Sequence, residues 1–264
     1  MKNYSQDFSL ENKVAFVCGG AGLIGREIAM ALANFGAKVI VLDVNRTKAM
    51  SIVKEIRHAG GSAHFEFFDS TKLTTFEKKL AQWYKKYSGM DVWVNVTYPR
   101  TSDWGLAVEK LKLDSFKKNV DMHLVSYVWM SRCVGLAMKK NKIKGSIINF
   151  GSIYGVQASD FTVYEGTDLT MPMAYAAIKA GIVNSSRYLA SYFGKDGIRF
   201  NTICPGGVKD NQPSAFVKKY EHKVPLKRMA VKEEIPMSVV FLASKASSYI
   251  TGETLMVDGG WTVV

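Results

Sequence analysis

Cysteine is scarce in this chain. Only Cys18, Cys133 and Cys204 occur among its 264 residues, an odd number without paired spacing and without histidines beside them at metal-ligand spacing. That pattern excludes a disulfide framework and a zinc centre, and predicts three reduced thiols packed as small hydrophobes, with no metal site. Also missing is any apolar run long enough to span a bilayer, and residues 1–13 are polar where a secretory leader needs an apolar stretch. The expected location is therefore cytoplasmic, with no membrane partner. No linker, repeat or low-complexity segment interrupts the chain. Acidic residues are in deficit, 23 Asp and Glu against 35 Lys and Arg, for a net charge of +12. Such a field attracts nucleic acid, anionic membranes or anionic substrates. The excess, however, is lysine in scattered pairs, Lys78-Lys79, Lys85-Lys86, Lys117-Lys118, Lys139-Lys140 and Lys218-Lys219, with no basic stripe interleaved with aromatics. These read as solvated helix faces, and no nucleic-acid partner is expected.

What the chain does have is a regular alternation. Val14 to Cys18, Lys38 to Asp43, Ala63 to Phe68, Val92 to Val96, Ser146 to Phe150 and Ile198 to Ile203 are short and β-rich, and helical periodicity fills each interval. Alternation of this kind predicts parallel strands joined by right-handed helical crossovers, an α/β doubly wound sheet of the Rossmann type. With 47% hydrophobic residues, a single domain over 1–264 with a large core is expected.

The first strand runs into Gly19, Gly20, Gly22 and Gly25, followed by a helix predicted over Arg26 to Phe35. Glycines there permit a tight turn and close approach of backbone to a pyrophosphate resting on the helix N-terminus. Asp43, at the end of the second strand, has the spacing of a carboxylate that binds an adenosine ribose. It would repel a 2′-phosphate and so favour NAD(H), although Arg46 nearby opposes that preference. Asp69, ending the third strand, is a candidate for the adenine edge or a plain turn residue.

The second chemical signal is Tyr175 with Lys179, one turn apart on the helix predicted around Met173 to Asn184. An ammonium beside a phenol favours the ionised form and brings a tyrosine, ordinarily near a pKa of about 10, within reach of acid/base work. An exposed amphipathic helix would show the same spacing.

With the glycine turn and Tyr175-Ala176-Ala177-Ile178-Lys179 go Asp91-Val92-Trp93-Val94-Asn95, Asn149-Phe150-Gly151-Ser152-Ile153-Tyr154-Gly155, Ile198-Arg199-Phe200-Asn201-Thr202-Ile203-Cys204-Pro205-Gly206-Gly207 and the tail Tyr249 to Trp261. In these motifs, over nearly its full length, the chain resembles the short-chain dehydrogenase/reductase family. The resemblance implies an oxidoreductase in which Tyr175 exchanges a proton with the substrate oxygen, Ser152 hydrogen-bonds that oxygen, and Lys179 lowers the Tyr175 pKa and binds the nicotinamide ribose. It further implies cofactor contacts from Gly19, Gly22, Leu23, Ile24, Gly25, Asp43, Asp69, Ser70, Asn95, Tyr175, Lys179, Pro205, Gly206 and Val208, and a homo-oligomer, tetramer or dimer, packed through Leu124 to Met138 and the Tyr175 helix.

Several positions depart from the family pattern. Leu23 replaces its middle glycine, and Asn95-Val96-Thr97-Tyr98 stands where Asn-Asn-Ala-Gly is usual. Asp210 stands where a threonine touches the carboxamide, and His123 replaces the asparagine of the central helix. In the family that position helps bend the helix and hold a water linking the lysine to solvent. His123 is expected to join that catalytic relay and add an ionisation near neutral pH, unless packing alone buries it. Residues 156–173 read as an insertion at the mouth of the site, with Phe161, Tyr164, Glu165, Thr167 and Asp168 suited to a polyhydroxylated ligand, or as a surface or oligomer-contact loop. Residues 207–228 read as a substrate-side segment. Tyr98-Pro99-Arg100 and Tyr164-Glu165-Gly166-Thr167 resemble members linked to flagellin and surface-glycan sugar modification. The expectation is an NAD(H)-dependent enzyme interconverting a secondary alcohol and a ketone, on a sugar or nucleotide-sugar. The alternatives are a non-catalytic dinucleotide-binding protein and a sugar epimerase or dehydratase retaining NAD.

Overall fold

The computed structural model describes residues 3–264, so the first two residues of the polar start lie outside it. Seven parallel strands form one sheet in the order β3-β2-β1-β4-β5-β6-β7: β1 Val14–Cys18, β2 Lys38–Asp43, β3 Ser62–Phe67, β4 Val92–Asn95, β5 Ser146–Phe150, β6 Arg199–Pro205 and β7 Thr254–Val257. The seventh strand falls in the tail and was not among the six expected. Three expected strands shift at their ends, Ala63–Phe68, Val92–Val96 and Ile198–Ile203, because pairing to neighbours rather than hydropathy decides where a strand stops. The order reverses between β1 and β4, which opens a crevice beyond their carboxyl ends.

The central strands β1, β4 and β5 are buried on both faces, so the two sides of the pleat feed separate cores. Ala15 and Val17 of β1 face helices α1 (Leu23–Asn34), α2 (Arg46–His58) and α8 (Pro236–Ala243), packing with Ile28, Leu32, Ile52 and Val239. Phe16, between them, faces α3 (Phe76–Tyr87), α5 (Ser126–Lys140) and α6 (Met173–Phe193), against Trp83, Trp93, Val134 and Phe193. Each such fully buried large side chain stabilises the fold by roughly 1.5–3 kcal/mol. On α3 the spacing of Phe76, Leu80, Trp83 and Tyr87 puts all four inward, leaving Lys78, Lys85 and Lys86 in solvent as expected. The three cysteines are free and buried.

Three further pieces shape the crevice. Helix α4 (Leu113–Asn119) continues into α5 through a widened π turn at Val120–Val125. The insertion contributes a short 3-10 turn at Phe161–Tyr164. It packs on α7 (Ser214–Lys223) in a third, aromatic cluster holding Tyr154, Tyr164, Phe216, Tyr220 and Trp261.

Candidate active site

The glycine turn is built for close packing. Gly19 has φ +88°, and a Cβ there would meet the Thr97 amide nitrogen at 2.8 Å, so only glycine lets β1 and β4 end side by side. A Cβ on Gly25 would run into the Gly19 carbonyl oxygen. Helix α1 starts at Leu23, three residues before the expected Arg26, and its N-cap Gly22 supplies no side-chain cap. The first amides of α1 therefore point into the crevice without an intrahelical partner, a setting that suits a pyrophosphate. Asp43 borders the same space, its carboxylate accepting from the Ala21 amide at 2.9 Å and the Asn45 amide at 2.9 Å. Arg46 turns away, its guanidinium 5.3 Å from the Phe65 ring centroid. Asp69 accepts from the amide and hydroxyl of Thr71, the turn role weighed for it, and still lines the crevice.

The crevice is one cavity of about 860 Å³. Gly19, Gly22, Leu23, Ile24, Gly25, Asp43, Asp69, Ser70, Ser152, Tyr175, Lys179, Pro205, Gly206 and Val208 all line it. Two of the expected site residues do not. Asn95 is fully buried; its amide donates to Asn149 Oδ1 at 2.7 Å and Ser131 Oγ at 3.2 Å, and its oxygen accepts from Trp93 Nε1 at 2.6 Å. That network ties β4 to β5 and α5 and leaves the side chain nothing for a ligand. His123 is also fully buried, at the π turn, behind Lys179 rather than at the cavity wall.

Tyr175 and Lys179 come off the first two turns of α6, and Ser152 ends the turn after β5. The Ser152 hydroxyl hydrogen-bonds Tyr175 and favours its phenolate, but burial is the larger effect and holds the phenol well above its ordinary pKa. Lys179 does not offset this. Its Nζ donates to the Phe150 carbonyl at 2.8 Å and lies 3.4 Å from His123 Nε2, over the rings of Tyr127 and Tyr175 at 5.5 and 5.6 Å. With no carboxylate beside it, burial pulls the Lys179 ammonium down to about 7. The same burial, followed by the Lys179 charge, pushes His123 well below its usual range. Burial and the Lys179 charge thus both act against the near-neutral ionisation expected of His123, and His123 Nδ1 finds no partner among the described residues.

Beyond Tyr175 the wall is aromatic. The Tyr98 ring is edge-on to Tyr175 at 5.8 Å and to His123 at 5.6 Å, and Trp104 Nε1 donates to its hydroxyl at 2.8 Å. The departure at Tyr98 thus lies beside Tyr175. Of the insertion, Tyr164, Leu169, Thr170 and Met171 reach the cavity, whereas Phe161, Glu165, Thr167 and Asp168 do not. Segment 207–228 contributes Gly207, Asp210, Gln212, Phe216 and Tyr220. Arg100 on the loop after β4 also lines the cavity; that loop has no periodicity to announce it, and only the Tyr-Pro-Arg run marked the place.

A reversing parallel sheet, a glycine turn at the switch point and a Tyr-Ser-Lys group in one crevice define the class of nicotinamide-dinucleotide oxidoreductases. Residues 20–262 match the family model described as enoyl-(acyl carrier protein) reductase, and the chain belongs to the short-chain dehydrogenase/reductase family. It is 33% identical over 254 residues to post-translational flagellin modification protein A of Campylobacter coli, covering 96% of this chain and 99% of that one. Among solved structures, a short-chain dehydrogenase of Leptospira borgpetersenii with bound NAD+ is 30% identical, with a TM-score of 0.83 over 99% of this chain and 96% of that one. A chain of Beutenbergia cavernae holding NADP, described as an NAD(P)-dependent gluconate 5-dehydrogenase, is 28% identical, with a TM-score of 0.84 over 98% and 100%. The family binds nicotinamide dinucleotides, and no helix among the described residues is long and apolar enough to cross a membrane.

Proposed function

We propose that this protein interconverts a secondary alcohol and a ketone with NAD(H), on a sugar or sugar derivative. The observation that carries the reading is the single cavity joining the glycine turn and Asp43 to Ser152 and Tyr175. The cofactor, when bound, supplies or accepts the hydride. Its pyrophosphate would lie on the α1 amides, its adenosine ribose against Asp43, and its nicotinamide ribose near Lys179. Tyr175, a neutral phenol in the free protein, donates its proton to the carbonyl oxygen during reduction, and the Ser152 hydroxyl holds that oxygen as negative charge develops. The Lys179 Nζ lies 5.6 Å from the Tyr175 ring centroid, where its charged form would favour the phenolate needed for the reverse direction without outweighing the effect of burial. Aromatic walls at Tyr98, Tyr154, Tyr164 and Tyr220 suit the apolar faces of a polyol, and the relatives described as acting in flagellin modification and on gluconate agree with that substrate class.

Asp43 at the ribose end favours NAD(H), and Lys48, the cation that shares this part of the cavity, is the residue that opposes it. The test is turnover and binding together. Tyr175→Phe is expected to lower kcat by about 10²–10⁴-fold while NADH titrations stay near wild type, and NADPH is expected to bind more weakly than NADH. Undiminished turnover by the phenylalanine variant would overturn the catalytic assignment, and NADPH binding as tightly as NADH would overturn the cofactor preference.

A further inference from the structure

Charges lining the cavity are few, and most have evident work. Asp43, Lys48 and Asp69 stand at the ends of β2 and β3 beside the glycine turn, Lys179 lies buried under Tyr175, and the Asp210 carboxylate accepts from Asn211 Nδ2 at 2.9 Å. Arg100 is different. It is exposed to the cavity, makes no ion pair among the described residues, and keeps its guanidinium 4.9 Å from the centroid of the Tyr98 ring. That ring is fixed by Trp104 and lies 5.8 Å from the ring of Tyr175. Two contact steps therefore separate an unneutralised guanidinium from the catalytic phenol, a span within reach of one sugar-sized molecule.

The loop carrying Arg100 is held in place from behind. The Thr101 amide donates to Asn119 Oδ1 at 3.0 Å, Asn119 Nδ2 donates back to Thr101 Oγ1 at 2.8 Å, and Ser115 Oγ donates to Asp103 Oδ1 at 2.7 Å. Asn119 itself is buried. A positioned guanidinium stacked on an aromatic ring presents its edge as a fork of donors, which matches two oxygens of a carboxylate or phosphate better than any neutral hydroxyl. A preset loop lowers the ordering cost of using it.

We propose that Arg100 sets the substrate class: the polyol oxidised or formed here is an anion, carrying a carboxylate or a phosphate that Arg100 grips while Tyr175 and Ser152 hold the reacting oxygen. This inference rests on the alcohol-ketone reading and narrows it. The net charge of +12 assists by drawing anions toward the site at low salt.

The test is a substrate panel in four arms, sugar acids, sugar monophosphates, nucleoside-diphosphate sugars and neutral polyols, assayed with NAD(H) on wild type, Arg100→Lys and Arg100→Gln. Wild type is expected to favour one anionic arm over the neutral arm, and that arm identifies the oxyanion. Arg100→Gln is expected to raise KM for it by about ten- to a hundredfold, with a smaller change in kcat, and Arg100→Lys to fall between. Calorimetric binding of the same anions to NADH-loaded protein, with thermal melting as the folding control, gives a readout independent of turnover. Neutral polyols used as well as anions, or an unchanged anion preference in Arg100→Gln, would overturn the inference and leave the oxidoreductase reading standing. Absence of NAD(H)-linked turnover in every arm would instead bring down that reading, and equal anion binding by wild type and Arg100→Gln would then bring down the inference as well.

Discussion

At the scale of single residues, the arrangement around Lys179 decides which group titrates near neutrality. An ammonium and an imidazole lie 3.4 Å apart with no carboxylate between them, and burial acts on both in the same direction, against charge. His123 starts from the lower ordinary value, so it is the one emptied of its proton, and Lys179 is left near 7. His123 is then a neutral neighbour whose Nε2 lies 3.4 Å from the Lys179 ammonium. In nuclear magnetic resonance titrations of the ligand-free protein, the His123 imidazole is expected to stay neutral through the range in which an ordinary histidine takes up its proton. One lysine signal is expected to titrate near 7 in wild type and in His123→Asn, and to disappear in Lys179→Met. A His123 signal that titrates inside that window, or loss of the lysine titration in His123→Asn, would reverse the assignment.

At the scale of elements, the insertion and α7 pack as one unit along the cavity, with Tyr164, Phe216 and Tyr220 among its lining. Lys223 of α7 pairs with Asp160 just before the Phe161–Tyr164 turn, and Lys219 donates to the Thr162 and Glu165 carbonyls at 3.1 and 2.8 Å. Behind these contacts Tyr164 and Phe216 pack at 5.3 Å. Lys223, with help from Thr162, holds the Asp160 carboxyl down to about 2. A carboxyl depressed in the folded state stabilises it fully above its ordinary value near 4, and loses that contribution as pH falls from about 4 to 2. Protease nicking of residues 156–173 is therefore expected to rise over that interval, read with an acid-active protease, and Asp160→Asn is expected to show the faster nicking already at neutral pH. Equal nicking rates for wild type and Asp160→Asn at pH 7 would show that the pair does not fasten the unit. This element was only partly legible beforehand. The sequence marks 156–173 as an insertion, but which of its side chains turn inward depends on α7, some fifty residues downstream: Tyr164 lines the cavity, and Phe161, Glu165, Thr167 and Asp168 do not. The sheet was easier, because strands buried on both faces write continuous apolar runs; β7 escaped because its residues are only half-buried. Asn95 was assigned to the cofactor from its motif, whereas its place in a buried amide network follows from contacts with β5 and α5 that local sequence does not display.

At the scale of the whole molecule, the surface carries an apolar stripe that a monomer has no use for. Val125 and Trp129 lie one turn apart where the π turn enters α5, 42% and 40% exposed, and Leu136 follows two turns on. On the adjacent α6, Tyr188 and Tyr192 lie one turn apart at 70% and 52% exposed. Two neighbouring helices thus present large side chains to water beside one another, partly screened by Arg132 over Trp129 and Lys139 over Tyr192. Covering such a surface removes apolar area from water at roughly 25 cal/mol per Å², and side chains of this kind anchor stable interfaces. Because α6 also carries Tyr175 and Lys179, a subunit docked there would brace that helix from outside. Light scattering at micromolar concentration is expected to give two or four times the 29.3 kDa of one chain, and Trp129→Glu with Tyr188→Glu is expected to lower that mass. If the wild-type protein scatters as a single chain at that concentration, these helices do not form an interface and α6 holds Tyr175 and Lys179 in place unaided.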